Sequence, residues 1–352
     1  MTKRWRVAIL GLGHWYSAYN IARALREYPK AELAAVAWRD PGQLAEFTGA
    51  FQVPGYAEVE DLLAREEVDL VHIAAPVAEM PACAIAAARA GKHIVLGKPM
   101  AMTLERADRM VEAVEGAGVK CVAFQGIKRL QSGGLKARID AGEIGEILVM
   151  HQTARWSIAE DWYRSGSPGW FADPRQVPGG AFIDEGIYWL DQLRWLAGSE
   201  AVEVEAKMAN LVHRDIAVED WGMATYTFAN GIIATLEAAW TINSPRRTGP
   251  SPKQNAVLRL EIIGSRGEII EESLRVPGRA VLAAGAEGWT FERDAAEPFG
   301  GPSPFPLDHL IDCIEQDRPS PASIREARDS FRLAMAAYEA AREGRPVRLG
   351  NQ

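Results

Sequence analysis

The sequence predicts two domains, a doubly wound α/β domain over residues 1–124 and an α+β domain over residues 125–352. In the first third, short apolar runs alternate with helical patterns, and the runs lack the polar alternation of a half-solvated strand. Such runs are typical of a parallel sheet covered on both faces. Strand-like segments then follow one another, which favours a mostly antiparallel sheet. The 352 residues also suffice for two domains of roughly 150 residues each.

Five strands and five helices are expected in the first domain. The strands are predicted over residues 6–10, 33–38, 69–75, 93–96 and 120–124. The helices are predicted over residues 15–28, 41–47, 59–65, 81–90 and 104–115. Because strand–helix–strand units cross over with a right hand, their repetition builds a doubly wound sheet.

The second domain has a different pattern. Helices are predicted over residues 134–141, 181–197, 307–316 and 324–342, with Gly142 and Gly198 ending the first two. Strands are predicted over residues 145–155, 202–209, 221–228, 232–240 and 256–263. Asn230-Gly231 predicts a hairpin turn, and residues 157–180 and 298–306 read as loops. The closing helices can pack back on the first domain.

Composition excludes several kinds of partner. The net charge is −8 and 24% of the residues are charged, so no broad basic surface for nucleic acid is expected and an anionic membrane is disfavoured. No apolar run reaches the ~20 residues of a membrane span. Cys83, Cys121 and Cys313 lie far apart, without the Cys/His spacing of a metal site. We therefore expect reduced thiols in a cytoplasmic protein, and no metal.

A glycine turn follows the first strand. Gly11-Leu12-Gly13 leads through His14 and Trp15 into the first helix, where free N–H groups face a bound pyrophosphate. These five residues are predicted to bind a dinucleotide. The alternative is a glycine-rich turn without a ligand.

The third glycine of the GxGxxG pattern is replaced by Tyr16. That glycine normally lets the helix pack close to the strand. Tyr16 therefore predicts either a slightly displaced helix or a ring folded over the turn.

The end of the second strand bears on cofactor choice. Trp38 stands where an acid would accept hydrogen bonds from the ribose hydroxyls. Arg39 can pair with a 2′-phosphate and stack on the adenine, so NADP is expected in preference to NAD. Asp40 offers two alternatives: it restores the ribose acid after a register shift, or it caps the helix that begins at Pro41.

Four sequence motifs resemble the glucose–fructose oxidoreductase / inositol dehydrogenase family. They are the segments 68–76 and 90–99, the pair Gly179-Gly180, and the segment 184–191, with 344–347 extending the match to the end of the chain. The resemblance implies a Rossmann domain followed by a domain with an open, mostly antiparallel sheet that commonly serves oligomerisation, as a homodimer or homotetramer. It also implies reversible hydride transfer between NAD(P) and a sugar, polyol or related alcohol.

The family's Glu-Lys-Pro motif matches Gly97-Lys98-Pro99. In the family the lysine sits between cofactor and substrate, so Lys98 inherits a catalytic and cofactor-binding role. The residues alone place it at the carboxyl edge of the sheet, where ligands bind, or leave it as a surface lysine. Gly97 removes a carboxylate that could have held the cofactor or the lysine.

Further cofactor contacts are expected from Ala75-Pro76 after the third strand. The family often has asparagine next and histidine three residues later. Here those positions hold Val77 and Met80, which removes polar contacts beside the nicotinamide.

The motif Asp-x-Gly-x-His-x-x-Asp matches Asp184, Gly186, Tyr188 and Asp191. Tyrosine replaces the usual histidine, as in glucose–fructose oxidoreductase itself and the dimeric dihydrodiol dehydrogenases, which are NADP-linked. The spacing puts residues 184, 188 and 191 on one helix face. The alternative is that Tyr188 is core and Asp184 is a helix cap.

These residues define an expected mechanism. Tyr188 would exchange the proton, Lys98 would stabilise the developing oxyanion, and Asp184 would bind substrate or orient Tyr188. A free phenol titrates near ~10, so carbonyl reduction is the easier direction at neutral pH. Trp156 and Trp162, with Trp170 beyond them, either stack on a carbohydrate-like substrate or serve a core or interface.

Two other functions stay open. One is a sugar lyase or hydrolase that uses a tightly bound nicotinamide transiently. The other is a non-catalytic dinucleotide-binding regulatory protein, which the departures at Trp38, Val77 and Gly97 favour.

Overall fold

The computed structural model describes residues 3–157, 169–241, 256–272, 278–293 and 304–350 of the chain. They belong to two compact units. The N-terminal unit takes in Met1–Ile127, Arg175–Val177 and Gly300–Arg328, and the C-terminal unit takes in Lys128–Pro174, Pro178–Phe299 and Asp329–Gln352.

Strands and helices alternate through the N-terminal unit as far as Ala123. The strands are β1 Trp5–Leu10, β2 Ala31–Ala37, β3 Gly55–Tyr56, β4 Leu70–Ile73, β5 His93–Leu96 and β6 Cys121–Ala123. The helices are α1 Trp15–Leu25, α2 Pro41–Phe51, α3 Val59–Arg65, α4 Met80–Arg89 and α5 Leu104–Gly116. Every predicted element is present, and the two-residue strand β3 is the one that the sequence analysis missed.

The six strands form one parallel sheet in the order β3-β2-β1-β4-β5-β6. This confirms the doubly wound α/β fold. Leu10 pairs with Ala37 and with Ile73, and Ile73 pairs with Leu96. Four neighbouring strands therefore end in register, and the residues that follow them all leave the sheet at its carboxyl edge.

The C-terminal unit begins within a short helix. Three helices come first in this part of the chain: α6 Ile127–Gln131, α7 Gly133–Asp140 and α8 Ala181–Ala197. Two more helices, α9 Leu307–Glu315 and α10 Ile324–Glu343, follow later in the chain. Its strands are β7 Ile147–Arg155, β8 Ala201–Ala209, β9 Trp221–Phe228, β10 Ile233–Ala239, β11 Val257–Gly264, β12 Glu268–Glu272, β13 Gly278–Leu282, β14 Thr290–Arg293 and β15 Val347–Arg348. Helix α9 belongs to the N-terminal unit and lies against β5 and β6.

Nine strands form the second sheet, in the order β14-β13-β12-β11-β7-β10-β9-β8-β15. Strands β7 and β10 are parallel, and the other neighbouring pairs of the described residues are antiparallel. The prediction of a mostly antiparallel sheet is thus confirmed. Gly231, with φ +88°, turns the predicted hairpin between β9 and β10.

Helix α8 packs on β7, β9 and β10. A Cβ at Gly186 would lie 3.1 Å from the Cβ of Ala238, so this glycine lets the helix approach the sheet closely. Gly198 ends the helix in the left-handed conformation, with φ +59°, as the sequence predicted.

Four strands of this sheet, β12 to β15, were not predicted. Strand β12 contains three glutamates among five residues, and Phe291 of β14 is 63% exposed, so neither shows a clear apolar alternation. The predicted loops lie partly outside the described residues, at 158–168 and 298–303, and Gly169–Ala172 forms a single 3₁₀ turn. No helix among the described residues has the length and apolar character needed to cross a bilayer.

Candidate active site

The turn after β1 bridges two other strand ends. The Gly11 N–H donates to the Ala37 carbonyl at 2.9 Å, and the His14 N–H donates to the Ala74 carbonyl at 2.8 Å. Gly11 has φ +93°, a conformation that other residues adopt only with strain. The turn is therefore tied to β2 and β4 at the carboxyl edge of the sheet.

Both glycines of this turn are also required by packing. A Cβ on Gly11 would lie 2.5 Å from the Ala75 Cα, and a Cβ on Gly13 would lie 2.5 Å from the Pro76 Cδ. Leu12 between them is buried. The structure thus brings together four predicted cofactor-binding positions, Gly11 and Gly13 with Ala75 and Pro76.

His14 precedes α1 and is 3% exposed. Its Nδ1 lies 3.1 Å from the Ala75 carbonyl oxygen. Burial, followed by the positive charge of Lys98, lowers the pKa of His14 to about 3, so the imidazole is neutral at physiological pH. The Tyr16 ring meets the His14 ring edge-on at 5.9 Å. Trp15, the first residue of α1, is partly buried.

Lys98 follows β5 at the same edge and is 5% exposed. The alternative of a surface lysine is therefore wrong. The preceding residue, Gly97, donates its N–H to the Ile73 carbonyl at 3.1 Å. A Cβ at Gly97 would lie 2.8 Å from that carbonyl oxygen and 2.9 Å from the Met80 Cε. Close packing between β4 and β5 thus leaves no room for the motif's glutamate in this backbone arrangement.

The end of β2 carries an ordered polar cluster. The Trp38 indole donates to the Gln43 Oε1 at 2.7 Å, and the Gln43 N–H donates to the Asp40 Oδ1 at 2.8 Å. The prediction that Asp40 caps α2 is confirmed. The Arg39 guanidinium lies 5.0 Å from the centre of the Trp38 ring and forms an ion pair with Glu79.

In the C-terminal unit, Glu219 caps α8. Its carboxylate accepts from the Gly180 N–H at 2.8 Å, from the Phe182 N–H at 3.0 Å and from the Tyr338 hydroxyl at 2.7 Å. The Tyr338 oxygen in turn accepts from the Ile183 N–H at 3.2 Å. A glutamate and a tyrosine far along the chain therefore satisfy N–H groups at the start of the helix.

Gly179-Gly180 belongs to this arrangement. A Cβ on Gly179 would lie 2.1 Å from the Tyr338 hydroxyl oxygen, and one on Gly180 would lie 1.9 Å from the Glu219 carbonyl oxygen. Burial raises the pKa of Glu219, and the hydrogen bonds that its carboxylate accepts oppose this rise. Burial and then Glu219 raise the pKa of Tyr338 well above its ordinary value, so Tyr338 stays a donor.

Asp184 lies one turn into α8 and is 6% exposed. Its Oδ2 accepts from the Trp240 indole N–H at 3.2 Å, while the capping carboxylate belongs to Glu219. The alternative that made Asp184 the helix cap is therefore wrong. Tyr188 follows one turn later and is partly exposed, so its role as a site residue or a core residue stays a prediction.

Asp191, the last residue of the matched motif, is fully buried. Its two oxygens accept from Arg129 at 2.9 and 3.0 Å, and the Ser330 hydroxyl donates to Oδ1 at 2.7 Å. This carboxylate joins α6, α8 and α10. Because both of its oxygens accept hydrogen bonds within the protein, Asp191 has a structural role. It lies on the helix face that also carries Asp184 and Tyr188.

Lys128 is a buried cation that the sequence analysis missed. It is 9% exposed, and its Nζ lies 4.7 Å from the centre of the Trp189 ring. Burial lowers the pKa of Lys128 to about 8, against the opposing charge of Glu271. Nothing in the sequence around Lys128 signals burial, because it follows a short apolar strand as a surface lysine would.

The tryptophans after β7 are only partly described. The backbone N–H of Trp156 donates to the Ala239 carbonyl at 2.8 Å and continues the pairing of β7 with β10. Trp170 stacks on Phe171 at 3.9 Å between ring centres. Trp162 lies outside the described residues, so a sugar-facing role for these rings stays a prediction.

His72 of β4 is 1% exposed, and its Nε2 lies 2.9 Å from the Ser17 hydroxyl. Across the described part of the chain, no group of three or more His, Cys, Asp or Glu side chains could hold a metal ion.

The N-terminal unit fits a dinucleotide. Its strand order is the 3-2-1-4-5-6 of dinucleotide-binding sheets, and its glycine turn opens α1 where a pyrophosphate binds in such folds. A buried lysine leaves the same edge after β5. These features define the class of nicotinamide-dependent oxidoreductases.

Two family profiles match the chain. Residues 5–125 match an oxidoreductase family described by its NAD-binding Rossmann fold, and residues 134–270 match the GFO/IDH/MocA C-terminal domain. The chain belongs to the GFO/IDH/MocA family of oxidoreductases, which confirms the resemblance drawn from its motifs.

Relatives and a solved structure match nearly the whole chain. The scyllo-inositol 2-dehydrogenase (NAD(+)) of Bacillus subtilis (strain 168) is 27% identical, over 98% of this chain and 96% of the relative. The D-xylose 1-dehydrogenase [NADP(+)] of Haloarcula marismortui is 26% identical, over 98% of this chain and 93% of the relative. The crystal structure of aldose-aldose oxidoreductase from Caulobacter crescentus with glycerol has a TM-score of 0.80 and 25% identity, covering 99% of this chain and 100% of that one.

Proposed function

We propose that this protein transfers hydride reversibly between the nicotinamide of NAD(P) and a hydroxyl-bearing carbon of a sugar or polyol. One observation carries the proposal. Strands β1, β2, β4 and β5 end in register, so the glycine turn, Arg39, Pro76 and Lys98 leave the sheet at the edge where dinucleotides bind. The names of the relatives, an inositol and a xylose dehydrogenase, support a polyhydroxylated substrate.

The bound cofactor would supply the hydride acceptor or donor. Residues 11–15 and Ala75-Pro76 would hold its pyrophosphate and nicotinamide ends, with the buried His14 as a neutral hydrogen-bonding group. Gly97 would let β5 pass close to β4, and Lys98 would present an ammonium to the substrate oxygen. Trp38 and Arg39 would face the adenosine.

Proton transfer would fall to α8. Tyr188 would give a proton to the substrate oxygen during reduction and take one during oxidation. The Lys98 ammonium would stabilise negative charge on that oxygen. Asp184, its carboxylate oriented by the Trp240 indole, would accept a hydrogen bond from a substrate hydroxyl.

Finer features belong to the same proposal. Arg39 supports NADP over NAD, although named relatives use either cofactor. Trp156 and Trp162 would stack on the sugar ring. Leu148, Met223 and Ile233 on neighbouring strands are 43–48% exposed, which supports a homodimer or homotetramer through this sheet. Three buried free cysteines suit a cytoplasmic protein.

The experiment is a screen of aldoses, inositols and other polyols with NAD and NADP, following the absorbance of the reduced nicotinamide. With a substrate in hand, Tyr188→Phe should lower kcat by about 100-fold or more. Tyr28→Phe, which changes a tyrosine that follows α1 at the opposite edge of the sheet, is the matched control. No turnover with any cofactor, or wild-type turnover of Tyr188→Phe, would contradict the proposal.

A further inference from the structure

Glu79 and Arg39 meet across two loops of the carboxyl edge. Arg39 follows β2, Glu79 is the residue before α4, and their side chains form an ion pair. We propose that Glu79 shifts cofactor specificity towards NAD, because its carboxylate pairs with Arg39 and repels a phosphate on the adenosine 2′ position. The inference rests on the proposed function, since it concerns the same dinucleotide site.

Arg39 is held in place from both sides. Its guanidinium lies over the Trp38 ring, whose indole is fixed by Gln43 at 2.7 Å. The Asp40 carboxylate accepts the Gln43 N–H as the cap of α2. The guanidinium therefore lies beside the end of β2, with the Glu79 carboxylate as its ion-pair partner.

Both charges remain accessible to a ligand. The side chain of Arg39 is 58% exposed and that of Glu79 is 34% exposed. A phosphate that carries nearly two negative charges would approach Arg39 against the charge of Glu79. Like charges at such short range disfavour binding, and loss of the carboxylate would leave the arginine to the phosphate.

The same carboxylate suits a 2′-hydroxyl. NAD-binding sheets place an acid at the end of the second strand to accept hydrogen bonds from the ribose, and that position holds Trp38. Glu79 supplies a carboxylate at this edge from the segment after β4 instead. Within the pair, Arg39 favours binding of NADP and Glu79 favours binding of NAD. Glu79 therefore reduces the preference for NADP that Arg39 alone would create.

The test is the binding of adenosine 2′,5′-bisphosphate and of ADP to the full-length protein, measured by calorimetry. Glu79→Gln should tighten binding of the bisphosphate by about five- to tenfold, the size of one partly screened charge interaction. Its binding of ADP should stay unchanged or weaken. Arg39→Gln should weaken binding of the bisphosphate, and the double variant should lose the gain of Glu79→Gln.

Glu115→Gln is the matched control. Glu115 pairs with Arg325 in the same unit and has a side chain 44% exposed, but it lies near the end of α5, at the amino edge of the sheet. It should leave both dissociation constants unchanged.

Two results would overturn the inference. Glu79→Gln could leave binding of the bisphosphate unchanged, or it could change the binding of both ligands equally. A wild-type protein that binds neither ligand nor NAD(P) would overturn the proposed function as well. If the wild type binds the ligands and Glu79→Gln has no effect, only the specificity role of Glu79 is contradicted.

Discussion

At the scale of the residue, four charged side chains are buried in the protein and need a compensating interaction or carry a free-energy cost. Lys98, Lys128, Asp184 and Asp191 are all less than 10% exposed, although lysine and aspartate are ordinarily surface residues. Asp191 is neutralised by Arg129, and Asp184 is oriented by Trp240. Burial lowers the pKa of Lys128, so its positive charge costs free energy in the folded state.

Replacing Lys128 by methionine should stabilise the protein at neutral pH. The pKa of Lys128 falls from 10.5 to about 8 in the folded state, which corresponds to a cost of roughly 3 kcal/mol. The cost is fully present below pH 8 and disappears as the pH rises towards 10.5, because the unfolded chain holds the proton more strongly in that window. Urea unfolding of Lys128→Met at several pH values measures this.

Lys136→Met, on the neighbouring helix α7, is the matched control. Lys136 pairs with Asp140 and its side chain is 25% exposed, so its loss should change the free energy of unfolding by well under ~1 kcal/mol. Equal effects of the two substitutions would show that burial does not penalise the Lys128 ammonium.

At the scale of the element, α8 is where local pattern and distant partners meet. The sequence predicted its bounds, with Gly198 ending the helix in the left-handed conformation. It also placed Asp184 and Tyr188 on one face. Its cap could not be predicted, since Glu219 and Tyr338 lie 119 positions apart and nothing local relates them.

Continuous apolar runs separate the strands that the sequence predicted from those that it did not. Parallel strands buried on both faces carry continuous apolar runs, so β1, β2, β4, β5 and β6 were predicted. Strand β12 pairs with β13 through Glu271 and Arg279, and its three glutamates make β12 resemble a loop in the sequence. The ion pair of Arg129 with Asp191 spans 62 positions and becomes visible only in the folded chain.

Loss of the α8 cap should destabilise the C-terminal unit. Tyr338→Phe removes the hydroxyl that donates to Glu219 and accepts from Ile183. Leaving buried polar groups unsatisfied costs about 1–3 kcal/mol. Denaturant unfolding of Tyr338→Phe, compared with Tyr28→Phe, measures the loss. An unchanged free energy of unfolding would mean that the hydroxyl does not stabilise the start of α8.

At the scale of the whole molecule, two buried neutral histidines of the N-terminal unit tie stability to pH. Burial lowers the pKa of His14 to about 3 and that of His72 to about 4, from 6.5. Below pH 6.5 the unfolded chain binds protons that the folded chain refuses, so stability falls as the pH falls. Each histidine contributes about 1.4 kcal/mol per pH unit in this window.

His72→Gln isolates one of these contributions. The acid limb of its stability curve should be shallower than that of the wild type by about 1.4 kcal/mol per pH unit between about pH 6 and pH 4.5. The measurement is urea unfolding across this range. Parallel curves for the variant and the wild type would exclude His72 as a source of the acid sensitivity.

We propose that the Lys98 ammonium and the Tyr188 phenol act on the same oxygen of the substrate. The most direct measurement is kcat/KM for Lys98→Met, Tyr188→Phe and the double variant, on the best substrate of the screen. When two groups act together on one transition state, the rate losses caused by removing each of them are not additive as free energies. We predict that the double variant is no more than a few-fold slower than the slower single variant. Losses that multiply in full would show that the two side chains act independently and would contradict the shared site.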